Sequence, residues 1–462
     1  MTTYKVTNPA TGTVEKEFPE ATDAQIHEAL DSAGQRFTTW GRTDPAERAA
    51  LLNRVADLYE ERATALAEII TREMGKPAAQ AKAEIGIVVS IYRYYAQNGE
   101  KYLKDEELEV ATGGQAVVRN DPYGVLLGIM PWNFPYYQVA RFAAPNLMVG
   151  NTIILKHAPQ CPESAAAMEQ LFLEAGFPEG AYVNVYATND QVAEIIIPDR
   201  RVQGISLTGS ERAGSAVAAV AGKNLKKVVL ELGGNDPFLV LDQEIVPKAV
   251  KGALRGRMGN AGQACNAAKR IIVLDEFYDD FVGQLESAVS TVELADPSSE
   301  DTFMGPMSSV GAADTLDEQV QDAITKGARV HAGGRRSEKG GAWYEPTMLT
   351  GITADMRAYS EELFGPVAMV YRVKDEQEAI ELANNSDYGL SASVNSTDVA
   401  RAERVGDQLE TGMVYINQPS GTAAELPFGG VKRSGYGREL AGHGIREFCN
   451  ATTVWYGPGG AS

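Results

Sequence analysis

The chain has 462 residues, of which 44% are hydrophobic and 23% are charged, a composition typical of a soluble globular protein with two or more domains. Its 42 basic and 62 acidic residues give a net charge of −20. This charge repels nucleic acid and anionic lipid, so we expect neither as a partner.

The first hundred residues have a helical pattern. An amphipathic stretch begins at Asp23, and Asp44 followed by Pro45 is a helix-start signal, a capping acid with proline in the first turn. Apolar residues then recur at three- and four-residue steps over residues 51–59, and the pattern returns over residues 79–97. We therefore predict a helical N-terminal segment.

From residue 117 onwards, short apolar runs alternate with helical patterns. Such alternation is typical of a parallel sheet that is covered by helices on both faces. The predicted strands are residues 125–130, 152–155, 182–186, 202–207 and 227–230, and the predicted helices are residues 162–174, 191–196 and 211–221.

The alternation starts again after Asp236 and predicts a second α/β unit. Two successive units of this kind predict two lobes with a ligand-binding cleft between them. The apolar end of the chain, residues 452–456, predicts a strand that pairs with another element or another subunit. In the second unit we predict strands at 238–241, 270–274, 368–373 and 390–395, and helices at 246–257, 279–292 and 376–383.

The cysteine, histidine and hydropathy patterns further narrow the class of protein. Three cysteines and four scattered histidines predict neither a disulfide framework nor a metal site. No stretch approaches about 18 uninterrupted apolar residues, and the N-terminus lacks an apolar signal core. We expect a cytoplasmic protein that does not span a membrane.

Cys265 ends a loop rich in Gly and Asn, residues 259–265, that follows a helical stretch. A cysteine in such a loop can be an exposed nucleophile, whose thiolate needs a base or a dipole nearby. A buried cysteine that packs as a small hydrophobic residue is an equal alternative.

Three further motifs follow predicted strands. Glu231 ends an apolar strand before a double-glycine turn, where burial would make it a general base, although a solvated glutamate is the simpler interpretation. Asn133 lies between Pro131 and Pro135 and could offer a fixed amide to an oxyanion, or could be a common turn residue. Residues 208–210 lead into a helix start that could hold a phosphate, a weak signal because no complete phosphate-loop motif is present.

Together, six motifs in this order resemble the NAD(P)-dependent aldehyde dehydrogenase superfamily over essentially the full length. The 34-residue separation between Glu231 and Cys265 also matches the family. The matching motifs lie at residues 131–135, 208–210, 231–234, 262–265, 361–366 and 427–430.

The resemblance implies a fold of two Rossmann-like parallel-sheet lobes plus a β-arm, and it implies roles for three residues. Cys265 attacks the aldehyde carbon, and the oxyanion is held by the Asn133 side-chain amide and the Cys265 backbone N–H. Hydride leaves to the nicotinamide, and Glu231 activates the water that releases the acid. Glu231 also argues against a relative that transfers the thioester to coenzyme A.

The resemblance also implies a coenzyme site. Pro159 occupies the ribose-selecting position, where an acid would repel a 2′-phosphate and a small hydroxyl residue would admit it. Because Pro159 does neither, we predict NAD as cofactor, with NADP also accepted. The implied cofactor-binding residues are Trp132, Lys156, Pro159, Gly209, Ser210, Glu362 and Phe364.

Arg141 and Thr422 are the predicted substrate-binding residues. Arg141 lies eight residues after Asn133, where succinate-semialdehyde dehydrogenases carry an arginine, and the chain is most similar to the shorter bacterial branch of that group. A guanidinium there would bind a carboxylate with two hydrogen bonds. The alternative is that Arg141 forms a structural salt bridge.

The loop of residues 417–425 departs from that branch, which has a Ser near Thr422. A broad-specificity aliphatic or aromatic aldehyde dehydrogenase, or a glutarate-semialdehyde dehydrogenase, therefore remains open. A non-catalytic cofactor-binding protein is disfavoured because Cys265, Glu231 and Asn133 are all present.

The resemblance finally divides the chain into regions. Residues 1–105 and 121–236 are the predicted cofactor-binding domain, and residues 237–430 the catalytic domain. Residues 106–120 and 431–462 are the predicted oligomerisation arm. In the family this arm crosses to a neighbouring subunit, so we expect a homodimer or homotetramer.

Overall fold

The computed structural model describes residues 3–111 and 113–457. The predicted N-terminal helices are present, and two of them begin at side-chain caps. Thr22 forms a capping box with Gln25, and the Asp44 carboxylate accepts a hydrogen bond of 2.8 Å from the Ala46 backbone N–H. The helices of this segment are Asp23–Trp40, Pro45–Glu61, Ala63–Met74 and Ala78–Leu103.

A six-stranded sheet forms the first lobe, and five of its strands are parallel. Its central strands are buried on both faces, which explains why the sequence reads there as continuous apolar runs. Its strands in spatial order are Gly435–Tyr436, Lys227–Glu231, Val202–Thr208, Val125–Met130, Thr152–His157 and Tyr182–Asn184. Its helices are Tyr137–Val149, Pro162–Glu174, Asn189–Gln191, the π-helical turn Val192–Ile196, and Glu211–Lys223.

A seven-stranded sheet forms the second lobe and is parallel except at one edge, where Arg329–Ala332 runs antiparallel to Thr347–Thr350. The strands in spatial order are Arg329–Ala332, Thr347–Thr350, Val367–Val373, Arg270–Leu274, Pro237–Val240, Ser391–Asn395 and Met413–Ile416. Its helices are Val246–Met258, Tyr278–Ser290, Val310–Thr325, Arg357–Ser360, Glu376–Asn384 and Val399–Gly406, with short 3₁₀ turns at Gly259–Gly262 and Asp275–Phe277.

A three-stranded antiparallel sheet forms the predicted arm, with Gln115–Pro122 between Glu106–Glu109 and Cys449–Tyr456. The third strand of this arm, Cys449–Tyr456, follows only after the chain has returned to the first lobe through Gly435–Tyr436 and the helix Ala441–Glu447. The predicted arm also includes residues 112 and 458–462, which lie outside the described residues. The domain boundaries stay a prediction.

The fold class predicted from sequence is confirmed. Elements that were not predicted individually include the helices Ala63–Met74, Val310–Thr325 and Val399–Gly406 and the strands Arg329–Ala332, Thr347–Thr350 and Met413–Ile416. Two small two-stranded ribbons, Lys5–Thr7 with Val14–Glu17 and Tyr388–Gly389 with Val431–Lys432, were also not predicted. Over residues 3–111 and 113–457, no helix is long and apolar enough to cross a membrane.

Candidate active site

The loop before Cys265 has an unusual backbone. After the helix Val246–Met258, Asn260 and Ala261 adopt left-handed conformations with φ of 53° and 50°. Gly262 follows with φ of 70°, and a Cβ there would lie 2.1 Å from the Gly365 carbonyl oxygen. Only glycine permits this approach, so the Gly-rich sequence serves to bring the loop against the segment 361–366.

Arg257 fixes this contact from within the fold. Its buried guanidinium donates hydrogen bonds to the carbonyls of Val367 at 2.6 Å, Leu363 at 2.5 Å and Gly262 at 3.4 Å. Burial lowers its pKa to about 9. Because one side chain ties the nucleophile loop to the 361–366 segment, the two motifs form a single unit.

Cys265 lines a cavity of about 520 Å³ between the two lobes. Burial raises the pKa of its thiol to about 12, while the positive charges of Arg141 and Lys269 oppose that rise. The Lys269 ammonium donates to the backbone carbonyls of Cys265 at 2.5 Å and Ala264 at 3.1 Å. The two cations therefore offset only part of the effect of burial, which favours the neutral thiol.

Asn133 lies beside this loop. Its side-chain amide donates to the Gln263 backbone carbonyl at 3.2 Å. The backbone carbonyl of Asn133 accepts from Lys76 Nζ at 2.9 Å and from Asn260 Nδ2 at 3.1 Å. The residue is 5% exposed. An amide donor held this way next to a thiol fits an oxyanion hole.

Lys76 and Glu84 are the residues that hold the Asn133 loop, and sequence reasoning missed both. They form a fully buried ion pair, and Glu84 Oε1 accepts from the backbone N–H groups of Tyr136 at 2.9 Å and Tyr137 at 3.1 Å. Charged residues in a helical segment normally indicate a solvated face. No local signal in the sequence indicated that these two are buried.

Glu231 ends the strand Lys227–Glu231 and is 2% exposed. Neither oxygen of its carboxylate has a hydrogen-bond partner among the described residues. Burial raises its pKa well above the ordinary value, and the positive charge of Arg141 acts against this. A carboxyl with a raised pKa is suited to proton transfer near neutral pH.

Arg141 is fully buried and forms an ion pair with Glu439, with 2.6 Å between Nε and Oε2. It also donates to the Tyr137 hydroxyl at 3.3 Å, and the Tyr137 hydroxyl donates to Thr422 Oγ1 at 2.8 Å. Thr422 and Tyr137 line the 520 Å³ cavity, whereas Arg141 lies behind them. The structure therefore contains the ion pair that sequence analysis left open as the alternative to a substrate contact.

A groove next to the thiol contains the predicted coenzyme residues of the second lobe. Glu362 accepts from the Gly234 backbone N–H at 3.1 Å and pairs with Lys269 at 2.9 Å. Phe364 packs edge-on against Trp132 with ring centroids 5.6 Å apart. Ser210 caps the helix Glu211–Lys223 and lines the same groove as Glu362. Free backbone N–H groups at this helix start can hold a phosphate.

Lys156 lies farther along the first lobe, in a cavity of about 250 Å³ that Arg212 also lines. It is 6% exposed, no hydrogen bond or ion pair engages its ammonium among the described residues, and burial lowers its pKa to about 8. Pro159 is half-buried and its carbonyl accepts from the Lys5 backbone N–H at 3.1 Å. No carboxylate is among the described residues that line this cavity.

The structure thus brings Cys265 and Thr422 to one cavity and Ser210 and Glu362 to a second groove. Asn133 does not line the cavity itself but is hydrogen-bonded to the loop that carries Cys265. Glu231 packs behind the cavity wall, since a Cβ at Gly429, next to the lining residue Phe428, would lie 2.6 Å from Glu231 Oε1. Gly209 stands at the turn into the Ser210 helix, where its N–H donates to the Glu231 carbonyl at 3.0 Å. Lys156 is buried, its ammonium lies 5.9 Å from the centre of the Tyr4 ring, and no carboxylate is among the described residues that line its cavity. This cation and the backbone N–H groups at the helix start fit an anionic dinucleotide such as NAD(P).

The sequence matches the model of the Aldehyde dehydrogenase family over residues 1–454. It is 53% identical to a succinate-semialdehyde dehydrogenase (NADP+) of Deinococcus radiodurans, covering 98% of this chain and 94% of that protein. A protein of the same name from Mycobacterium avium is 46% identical over 97% of this chain and 96% of its own length. The crystal structure of succinic semialdehyde dehydrogenase from Streptococcus pyogenes in complex with NADP+ is similar at a TM-score of 0.96 and 41% identity, covering 98% of this chain and 99% of that one.

Proposed function

Since the chain belongs to the aldehyde dehydrogenase family, we propose that it oxidises succinate semialdehyde to succinate, with Cys265 as nucleophile and NADP as an accepted coenzyme. The enzyme is an NAD(P)-dependent aldehyde dehydrogenase. The observation that carries the proposal is the convergence of a thiol, a fixed amide and a buried carboxyl next to one cavity.

In the first step the Cys265 thiol gives up its proton to water, and the resulting thiolate sulfur forms a bond to the aldehyde carbon. The carbonyl oxygen becomes an oxyanion, which the Asn133 amide and the Cys265 backbone N–H would stabilise as hydrogen-bond donors. Collapse of this oxyanion expels hydride and leaves a thioester on Cys265. The bound nicotinamide supplies the hydride acceptor.

Glu231 serves the second step, in which water cleaves the thioester. In its ionised form the Glu231 carboxylate takes a proton from the attacking water, the carbon–sulfur bond breaks, and the thiolate of Cys265 is released. Burial without hydrogen-bond partners keeps Glu231 protonated to a higher pH than a solvated glutamate. Turnover is therefore expected to increase with pH until this carboxyl is ionised.

The substrate proposal rests on the named relatives and on the shape of the cavity. Thr422 and Ser420 offer hydroxyl groups, and Phe134 and Phe428 give the same cavity apolar walls. A short aldehyde with a polar far end fits this combination. Direct contact between Arg141 and the substrate carboxylate stays a prediction, because that side chain is paired with Glu439.

The coenzyme proposal goes beyond the NAD preference predicted from sequence. Lys156 and Arg212 line one cavity that has no carboxylate among its described lining residues. Two cations without an acid favour a ribose that carries a 2′-phosphate. Pro159 adds neither repulsion nor a hydrogen bond, so we infer that NADP binds at least as well as NAD.

We infer a homo-oligomer from the arm. Its three strands expose both outer edges, and Trp455 on the strand Cys449–Tyr456 is 62% exposed. Unpaired strand edges with exposed apolar side chains favour pairing with another chain. Light scattering coupled to size exclusion distinguishes a dimer from a tetramer.

The decisive experiment is reduced-coenzyme formation from succinate semialdehyde, glutarate semialdehyde, butanal and benzaldehyde, each with NAD and NADP. We expect the highest kcat/KM for succinate semialdehyde with NADP. Cys265→Ser should remove activity with every aldehyde, and Glu231→Gln should release about one equivalent of reduced coenzyme per site and then stop. A preference for butanal or benzaldehyde would contradict the substrate proposal and favour the broad-specificity alternative.

A further inference from the structure

The charged side chains that line the aldehyde cavity differ in what binds them. Among the described lining residues these are Lys76, Glu84 and Arg255. Lys76 and Glu84 neutralise each other in their buried ion pair. Arg255 is therefore the lining residue that leaves a positive charge without a partner.

Arg255 lies in the last turn of the helix Val246–Met258 and is exposed. Its guanidinium has no hydrogen bond or ion pair among the described residues. Two residues later on the same helix, Arg257 is buried and donates to four carbonyl groups. The helix thus carries one arginine that holds the fold and one whose five donors are free.

The loop with the predicted substrate hydroxyl packs on this end of the helix. A Cβ at Gly256 would lie 3.1 Å from the Pro419 Cβ, so the loop touches the last helical turn. Pro419, Ser420 and Thr422 line the cavity together with Arg255. A long guanidinium stem at this place can reach the cavity without moving the backbone.

We propose that Arg255, with the hydroxyl of Thr422, binds the carboxylate of the anionic aldehyde in this cavity. This inference rests on the proposed function, since it names the group that recognises the distal end of the substrate. The Tyr137 hydroxyl donates to Thr422 Oγ1, which leaves the Thr422 hydroxyl proton free to donate to a carboxylate oxygen. Arg141 then acts as a positioning residue, because it holds Tyr137 from behind.

The negative net charge of the protein indicates a second role for Arg255, the electrostatic attraction of the substrate. A protein with a net charge of −20 repels an anionic aldehyde from most of its surface. An exposed cation at the cavity attracts the substrate locally and is screened by salt. The contribution of Arg255 should therefore shrink as ionic strength increases.

The test compares Arg255→Met with Lys251→Met in the full-length enzyme. Lys251 is exposed on the same helix, one turn earlier, and does not line the cavity, so its substitution removes the same charge without the proposed contact. For Arg255→Met we expect kcat/KM for succinate semialdehyde to fall about 10- to 100-fold, mainly through KM, with butanal unchanged. Lys251→Met should change kcat/KM for succinate semialdehyde and for butanal by less than about twofold. Arg255→Lys should have a kcat/KM for succinate semialdehyde between those of Arg255→Met and the wild type.

Different results overturn different statements. If the wild-type enzyme prefers butanal, the proposed function fails and the inference fails with it. If the wild-type enzyme prefers succinate semialdehyde and Arg255→Met keeps that preference, only the inference on Arg255 fails. An equal loss with succinate semialdehyde and butanal also overturns it, because that pattern indicates a structural role.

Discussion

Two groups of cations surround the proposed site, and they differ in whether the protein itself binds them. Lys76, Arg257 and Lys269 each contact backbone carbonyls in or beside the motif loops. Lys156 and Arg255 line cavities, and neither has a hydrogen bond or ion pair among the described residues. The first group holds the site in shape, and the second is available to anionic ligands.

The bound cations offset the cost of burial by several contacts each. Lys76 pairs with Glu84 and donates to the Asn133 carbonyl, and Lys269 pairs with Glu362 and donates to two carbonyls at the nucleophile. Removal of one partner of a buried pair costs about 3–5 kcal/mol because the other charge remains buried. These residues therefore affect folding and catalysis together.

The free cations have no such internal contacts to lose. Replacement of Lys156 or Arg255 removes a charge without leaving an unpaired carboxylate behind. Their effects should appear in KM values rather than in the free energy of unfolding. The predictions below use this contrast.

The largest effect is expected for Lys76→Met. The change leaves Glu84 buried without its partner and removes a hydrogen bond from the Asn133 carbonyl. We expect the free energy of unfolding to fall by about 3–5 kcal/mol. We also expect kcat to fall about 10- to 100-fold, less than for complete loss of an oxyanion donor, because Asn260 still holds the loop. Chemical denaturation and steady-state kinetics measure the two quantities.

Two further variants separate the structural and catalytic parts of this prediction. In Lys76→Met/Glu84→Gln both charges are gone, and the glutamine oxygen can still accept from Tyr136 and Tyr137, so stability should largely return while kcat stays low. Lys82 lies on the same helix as Glu84 and forms an exposed ion pair with Glu300. Lys82→Met should therefore lower the free energy of unfolding by less than about 1 kcal/mol. A full return of kcat in the double variant would show that Lys76 acts on stability alone.

A smaller effect is expected for Lys269→Met, measured at the thiol. The Lys269 charge opposes the increase in the pKa of Cys265, so its loss should raise that pKa further. We expect the rate of Cys265 alkylation by iodoacetamide at pH 8 to fall about tenfold, with Lys269→Arg close to the wild-type rate. Cys449→Ser should be present in all variants, because that thiol is partly exposed. An unchanged alkylation rate would contradict the electrostatic role of Lys269.

The contrast between bound and free cations also marks the limit of prediction from sequence. The alternation of apolar runs and helical patterns predicted both sheets, because central parallel strands such as Val125–Met130 are buried on both faces. The family resemblance assigned roles to Cys265, Asn133 and Glu231, and these roles stay predictions. The burial of Lys76 and Glu84 could not be predicted, because the backbone groups that they bind, the Asn133 carbonyl and the Tyr136 N–H, lie 57 and 52 residues away along the chain. Whether Arg141 pairs with Glu439 also depends on a contact across nearly 300 residues.

The smallest effect concerns Lys156 and depends on pH. Burial lowers its pKa to about 8, so the ammonium loses its charge as pH rises through that value. Binding of an anionic phosphate favours the charged form, so the KM for NADP should be lowest below pH 8 and increase several-fold between pH 7.5 and 9.5. Lys156→Met should show a higher KM and a flat profile over the same range, and its free energy of unfolding should not fall, because the substitution removes a buried ammonium whose charge is disfavoured by burial. Because Arg212 keeps its charge throughout this range, a wild-type profile as flat as that of Lys156→Met would assign the phosphate to Arg212 instead.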